Sequence, residues 1–123
     1  MRVQLYRHAI LASALLLAVE TSAYARGLSP LTDEGAAAAG LIQFYSQRCG
    51  REPGYSLTSR ALAFIDNAAS GNPAMFYRGY ATEAHMPTQN CTGAYDYNLG
   101  PRGVVSSAIG FTIMLPAGRA APQ

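Results

Sequence analysis

Lysine and tryptophan are absent from this 123-residue chain, and cysteine and histidine each occur only twice. Each scarcity removes a class of chemistry. All nine basic residues are arginine, and the turn Gly100-Pro101-Arg102-Gly103 lacks the lysine-Ser/Thr that a phosphate loop requires. Beyond the first 25 residues one histidine remains, His85, with no cysteine or acid at a ligand spacing from it. No metal site is expected. The two cysteines, Cys49 and Cys91, stand too far apart for a Cys-x-x-Cys redox motif. There is no Gly-x-Ser-x-Gly elbow, and nothing selects Ser56, Ser59, Ser70, Ser106 or Ser107 as a nucleophile for His85 to activate. The arginines form no run and no aromatic-basic stripe, so no nucleic-acid partner is expected. Nothing calls for a cofactor.

Long apolar runs are also missing. Ala9 to Val19 is apolar apart from Ser13, about half of the roughly 20 residues needed to cross a bilayer. It follows a basic start (Arg2, Arg7, His8) and leads through Glu20-Thr21-Ser22 to Ala23-Tyr24-Ala25. Charged start, short apolar stretch and small-x-small end are the pattern of a secretory signal peptide, with cleavage expected after Ala25. Val104 to Leu115 is too short to span and holds Ser106, Ser107 and Gly110. No twin-arginine pair and no lipid-acceptor cysteine accompany the signal, so a soluble product without a stable membrane anchor is expected. All-arginine usage with abundant alanine points to a GC-rich bacterial source, and therefore to the periplasm or beyond. That source and the central cysteine argue against use of the glycosylation triplet Asn90-Cys91-Thr92.

Residues 26–123 suffice for a single small domain, carrying seven arginines against six acids. A domain of that size buries a modest fraction of its surface, so covalent help matters. In an oxidising compartment Cys49 and Cys91 are expected to pair. They lie 42 residues apart, which in the chain-entropy model is worth about 4 kcal/mol.

The patterning predicts a mostly α fold: an antiparallel bundle of three to four short helices with one disulfide. Ser29-Pro30 and Thr32-Asp33-Glu34 open a first helix running to about Arg48, since hydroxyls cap and acids suit the positive end of the dipole. Ala38, Leu41, Ile42, Tyr45 and Cys49 form its apolar face, and Gly50 is placed to end it in a left-handed turn. After a Pro53-Gly54 loop, Thr58 caps a second helix from Ser59 to about Ala69, with Leu57, Ala61, Phe64, Ile65 and Ala68 on one face. Asn72-Pro73 starts a third, to about Glu83 or His85, weakened by Gly79 by up to about 1 kcal/mol. Cys91 to Leu99 is a short fourth helix, bringing Cys91 to Cys49. Residues 104–115 fit a short helix or a C-terminal strand equally well, and the tail from about 116 is expected to fray.

Tyrosine is the one excess among the aromatics. Tyr77 and Tyr80, three residues apart, share a face of the third helix beside Arg78, and these three are the candidate partner surface. Asp66, Glu83 and Asp96 sit on different predicted elements and read as solvated, not as a paired acid-base centre.

Phe44 to Gly50, Leu57 to Asn67, and Tyr95 to Gly103 after Cys91 carry a resemblance in layout. In these stretches the chain resembles small periplasmic one-disulfide helical proteins of proteobacteria, a group with no established activity, which implies the same helical fold. In size, helicity and single disulfide it is also similar, more faintly, to periplasmic acid-stress chaperones. It lacks their dense acidic residues, whose protonation could drive unfolding. The expectation is an exported, non-enzymatic protein-binding or accessory factor. The alternatives are a small enzyme or ligand carrier with a cleft built from distant residues, and a stress chaperone.

Overall fold

The computed structural model describes residues 27–51 and 54–118. The signal segment with its cleavage point at Ala25, Pro53 of the expected loop and the last five residues lie outside the described residues.

Helix α1 spans Asp33–Cys49. Thr32 caps it, its hydroxyl accepting from the Gly35 N–H at 3.1 Å, and Asp33 and Glu34 fill the first turn where the exposed amides favour negative charge. Strand β1, Tyr55–Leu57, leads into α2, Ser59–Gly71, and after the single residue Asn72 into α3, Pro73–His85. A short helix α4, Cys91–Gly93, continues directly as a π-helical segment, Ala94–Leu99. Helix α5, Val104–Ile109, ends at Gly110 in the left-handed conformation (φ 92°), and β2, Met114–Pro116, follows. The ambiguity of residues 104–115 is thus resolved as both: helix first, then strand.

The strands pair antiparallel, with Ser56 opposite Leu115. β1 was not foreseen, because Tyr55–Leu57 is too short to show a period and reads as the end of a loop. Pairing also holds the chain further than expected: Pro116 pairs with Tyr55, and the Ala117 N–H donates to the Gly54 carbonyl at 2.9 Å.

Ile42, Tyr45, Phe64, Ile65, Phe76, Leu99, Ile113 and Met114 fill the core. The most extensive helix contact is between α1 and α3. Asn72, at the start of α3, donates from its side-chain amide to the Leu31 carbonyl (3.1 Å) and Asp33 Oδ1 (2.9 Å) at the start of α1. Toward the other end, Tyr45 meets Glu83. The two helices point the same way, as the first and third helices do in a chain that reverses at each connection. Where they cross, a Cβ on Gly40 would fall on the Phe76 carbonyl oxygen, and one on Gly79 on the Ala37 carbonyl oxygen. The backbones touch because neither residue has a side chain.

That contact revises three details. Gly79 is a packing requirement more than a weakness. The buried face of α1 centres on Ala36, Ala39 and Gly40 together with Ile42, Tyr45 and Cys49, while Ala38 and Leu41 are half-buried. Asn72 makes no capping bond to α3 from its side chain, which is engaged by α1. A fourth revision concerns Gly50, which ends α1 at φ −80°, not in the left-handed region. Helix α2 buries four of its five expected face residues, Ala61, Phe64, Ile65 and Ala68, and Thr58 caps it, whereas Leu57 ends strand β1 and is half-buried.

Cys49 and Cys91 are joined in a disulfide, with Cα atoms 5.5 Å apart. It ties the last residue of α1 to the first of α4.

Candidate functional site

The α1/α3 contact leaves a groove of about 310 Å³ on one side, because the residues at the crossing are small. Ala37, Ala38 and Gly79 line it with the larger apolar side chains Leu41 and Met75, the exposed polar residues Arg78 and Thr82, and the buried acid Glu83. It is open and mostly apolar. Arg78 belongs to it, and among the described residues no acid stands within ion-pair distance, 4.0 Å, of its guanidinium.

The three candidate residues of α3 separate into two roles. Tyr77 is 66% exposed and packs edge-on against Phe76, with ring centroids 5.6 Å apart. Arg78 is exposed. Tyr80 is half-buried: its hydroxyl donates to Gln47 Oε1 at 2.6 Å and its ring lies edge-on to Phe44. Tyr80 therefore holds α3 on α1, leaving Tyr77 and Arg78 presented outward. The other tyrosines also divide. Tyr95 stacks on Tyr55 with centroids 4.9 Å apart, and Tyr97 is exposed.

Beneath one end of the groove lies a polar cluster that the sequence reading missed. Glu83 is 7% exposed, not solvated. Its Oε2 accepts from the Tyr45 hydroxyl at 2.8 Å and from the Thr88 hydroxyl at 3.2 Å, and the Gln89 N–H donates to the Tyr45 oxygen at 3.2 Å. These bonds fix the loop after α3 against α1, immediately before Cys91. A signal for this existed: Phe76, Tyr80 and Glu83 fall at i, i+4 and i+7, the inward spacing of α3. The residue type obscured it, since glutamate is seldom buried without a partner and the partner, Tyr45, is 38 residues away. With one oxygen engaged by two hydroxyls, Glu83 acts as an anchor.

The remaining reactive side chains are dispersed. Asp66 is exposed on α2, Asp96 on the π-helical segment, and His85 at the last residue of α3. The Ser106 hydroxyl is buried and donates to the Leu99 carbonyl at 2.9 Å, and that of Ser70 donates to the Asp66 carbonyl at 2.9 Å. Among the described residues no three His, Cys, Asp or Glu side chains gather closely enough to hold a metal ion. None of the described helices is long and apolar enough to cross a membrane.

A second, smaller cavity of about 250 Å³ is lined by Tyr95, Asp96, Pro101 and Arg102, where the π-helical segment meets the following turn. No protein family, curated protein or solved structure matches the chain.

Proposed function

We propose that this chain is an exported bacterial protein of the periplasm that acts by binding another protein, not by catalysis. The observation that carries the reading is the open apolar groove between α1 and α3, with Tyr77 exposed next to it in sequence and Arg78 beside it lacking an ion-pair partner among the described residues. Exposed apolar surface with an aromatic and an arginine is the composition of interface hot spots. The arginine sets the chemistry of the partner: an apolar segment carrying a carboxylate, which a guanidinium binds through two parallel hydrogen bonds. Export is supported by the sequence of residues 1–25 and by the disulfide, since such bonds persist mainly in oxidising compartments.

The test is affinity capture from periplasmic extract of the native host, using the disulfide-bonded protein and three variants. Tyr77→Ala and Arg78→Glu should each lose the captured protein, whereas Asp66→Ala, exposed on α2 away from the groove, should retain it. Equal capture by all four, or no protein specific to the wild type, would remove the reading. Mass spectrometry of the exported product should show cleavage after Ala25 and no free thiols.

A further inference from the structure

The cavity at the π-helical segment differs in kind from the groove. Four residues line it: an aromatic ring, a carboxylate, a proline ring and a guanidinium. Asp96 and Arg102 carry opposite charges yet form no ion pair within 4.0 Å of each other, and neither side chain has a hydrogen-bond partner among the described residues. Two opposite charges that line one small space without pairing are complementary to a ligand that carries both signs.

The backbone places them on different elements. In the wide π turn the Gly100 N–H donates to the Tyr95 carbonyl five residues back, at 2.8 Å. The next such bond cannot form, because Pro101 has no N–H to offer the Asp96 carbonyl. Winding therefore stops, and the chain turns through Gly100 to Gly103, closed by the Gly103 N–H donating to the Gly100 carbonyl at 3.0 Å. Asp96 is left on the helical side of the cavity and Arg102 on the turn side. Tyr95 is fixed by its stack on Tyr55, 26° between ring planes. Short π-helical stretches are uncommon and occur often at functional sites.

We propose that this cavity binds a small aromatic zwitterion, a free amino acid or dipeptide. Asp96 takes the ammonium, Arg102 the carboxylate, and the Tyr95 ring provides the apolar wall. At about 250 Å³ the space falls below the roughly 300–1,000 Å³ of drug-sized sites, which fits a ligand of this size. The inference is independent of the groove and of any protein partner.

The test is an amide-resolved NMR titration of the disulfide-bonded protein with L-phenylalanine, N-acetyl-L-phenylalanine and L-phenylalaninamide. The zwitterion should give saturable shifts confined to residues 94–103, with a Kd on the order of 1 mM or tighter. Each derivative lacks one charge and should bind at least about tenfold more weakly, a factor set by one lost charge-assisted hydrogen bond. Arg102→Gln should erase the preference over the amide, and Asp96→Asn the preference over the acetylated form. Both side chains are exposed, so neither substitution threatens the fold. The proposal is overturned by the absence of saturable shifts up to about 10 mM phenylalanine, by equal affinity for all three compounds, or by preferences that survive either substitution.

Discussion

Two residues with no side chain carry the largest helix contact among the described residues. On a solvent-facing helix, replacing glycine by alanine stabilises by up to about 1 kcal/mol. At Gly40 and Gly79 the sign reverses, because the added carbon would land on a carbonyl oxygen of the other helix. Neither backbone can yield without moving a whole helix. Gly40→Ala and Gly79→Ala should each lower the unfolding free energy by about 1–3 kcal/mol or more in urea titration, as overpacked cores do. Unchanged or raised midpoints would mean that α1 and α3 stand further apart than described. The Tyr45–Glu83 pair makes a second residue-scale prediction. Tyr45→Phe removes the donor to Glu83 Oε2 and the acceptor of the Gln89 N–H, leaving polar groups short of partners in a buried place. The expected loss is about 1–3 kcal/mol. Glu83→Ala should lose a comparable amount, and the double variant should lose much less than the sum of the two, because each single change already breaks the same bond.

At the scale of elements, Thr58 joins three functions. Its hydroxyl caps α2 by accepting from the Ala61 N–H (3.3 Å) and donates to the Thr112 carbonyl (2.7 Å), while its own N–H donates to the Ile113 carbonyl (2.9 Å). It thus starts a helix and extends the ladder between β1 and β2. Thr32 is a cap on the surface, bonded within its own turn. Valine keeps the shape of threonine and removes the hydroxyl bonds. Thr32→Val should cost about 1 kcal/mol, the usual loss of a cap, and Thr58→Val about twice that, since Thr58 is buried and the half-buried Thr112 carbonyl also loses its donor. Thermal unfolding of the two variants side by side checks the order. The contrast shows what a sequence displays. Both caps are readable from Thr followed by helical apolar spacing, and so is the face of α2, because these signals are local. The cross-chain bond to Thr112, 54 residues on, has no local mark. Neither has the β1–β2 pairing, whose strands of three residues are shorter than any period that could announce them. The same reason explains the site: the α3 residues Tyr77, Tyr80 and Arg78 were legible as a cluster, but which of them faces α1 depends on where Gln47 and Phe44 lie.

The disulfide acts at the scale of the whole molecule, and its position decides how. Cys49 and Cys91 enclose β1, α2 and α3, a span of 42 residues. Opening that loop raises the entropy of the unfolded chain by an amount worth about 4 kcal/mol in the chain-entropy model, against roughly 5–15 kcal/mol for the total stability of such a domain. The folded side has other ties at the same place. The Ile113 N–H donates to the Leu99 carbonyl (3.2 Å), the Ser106 hydroxyl donates to that same carbonyl, and Tyr95 remains stacked on Tyr55. The π-helical segment is therefore held without the bond, and reduction should weaken the whole fold evenly instead of releasing one end of it. Hydrogen exchange of the oxidised protein and of the Cys49→Ser/Cys91→Ser double variant separates the two cases. Protection should fall by about the same amount in α1, α3 and residues 94–99, near three orders of magnitude for a loss of about 4 kcal/mol where exchange requires global opening. Protection lost from residues 91–99 alone, with α1 and α3 unchanged, would make the bond a local tether and leave the burden of stability on the Gly40–Gly79 crossing.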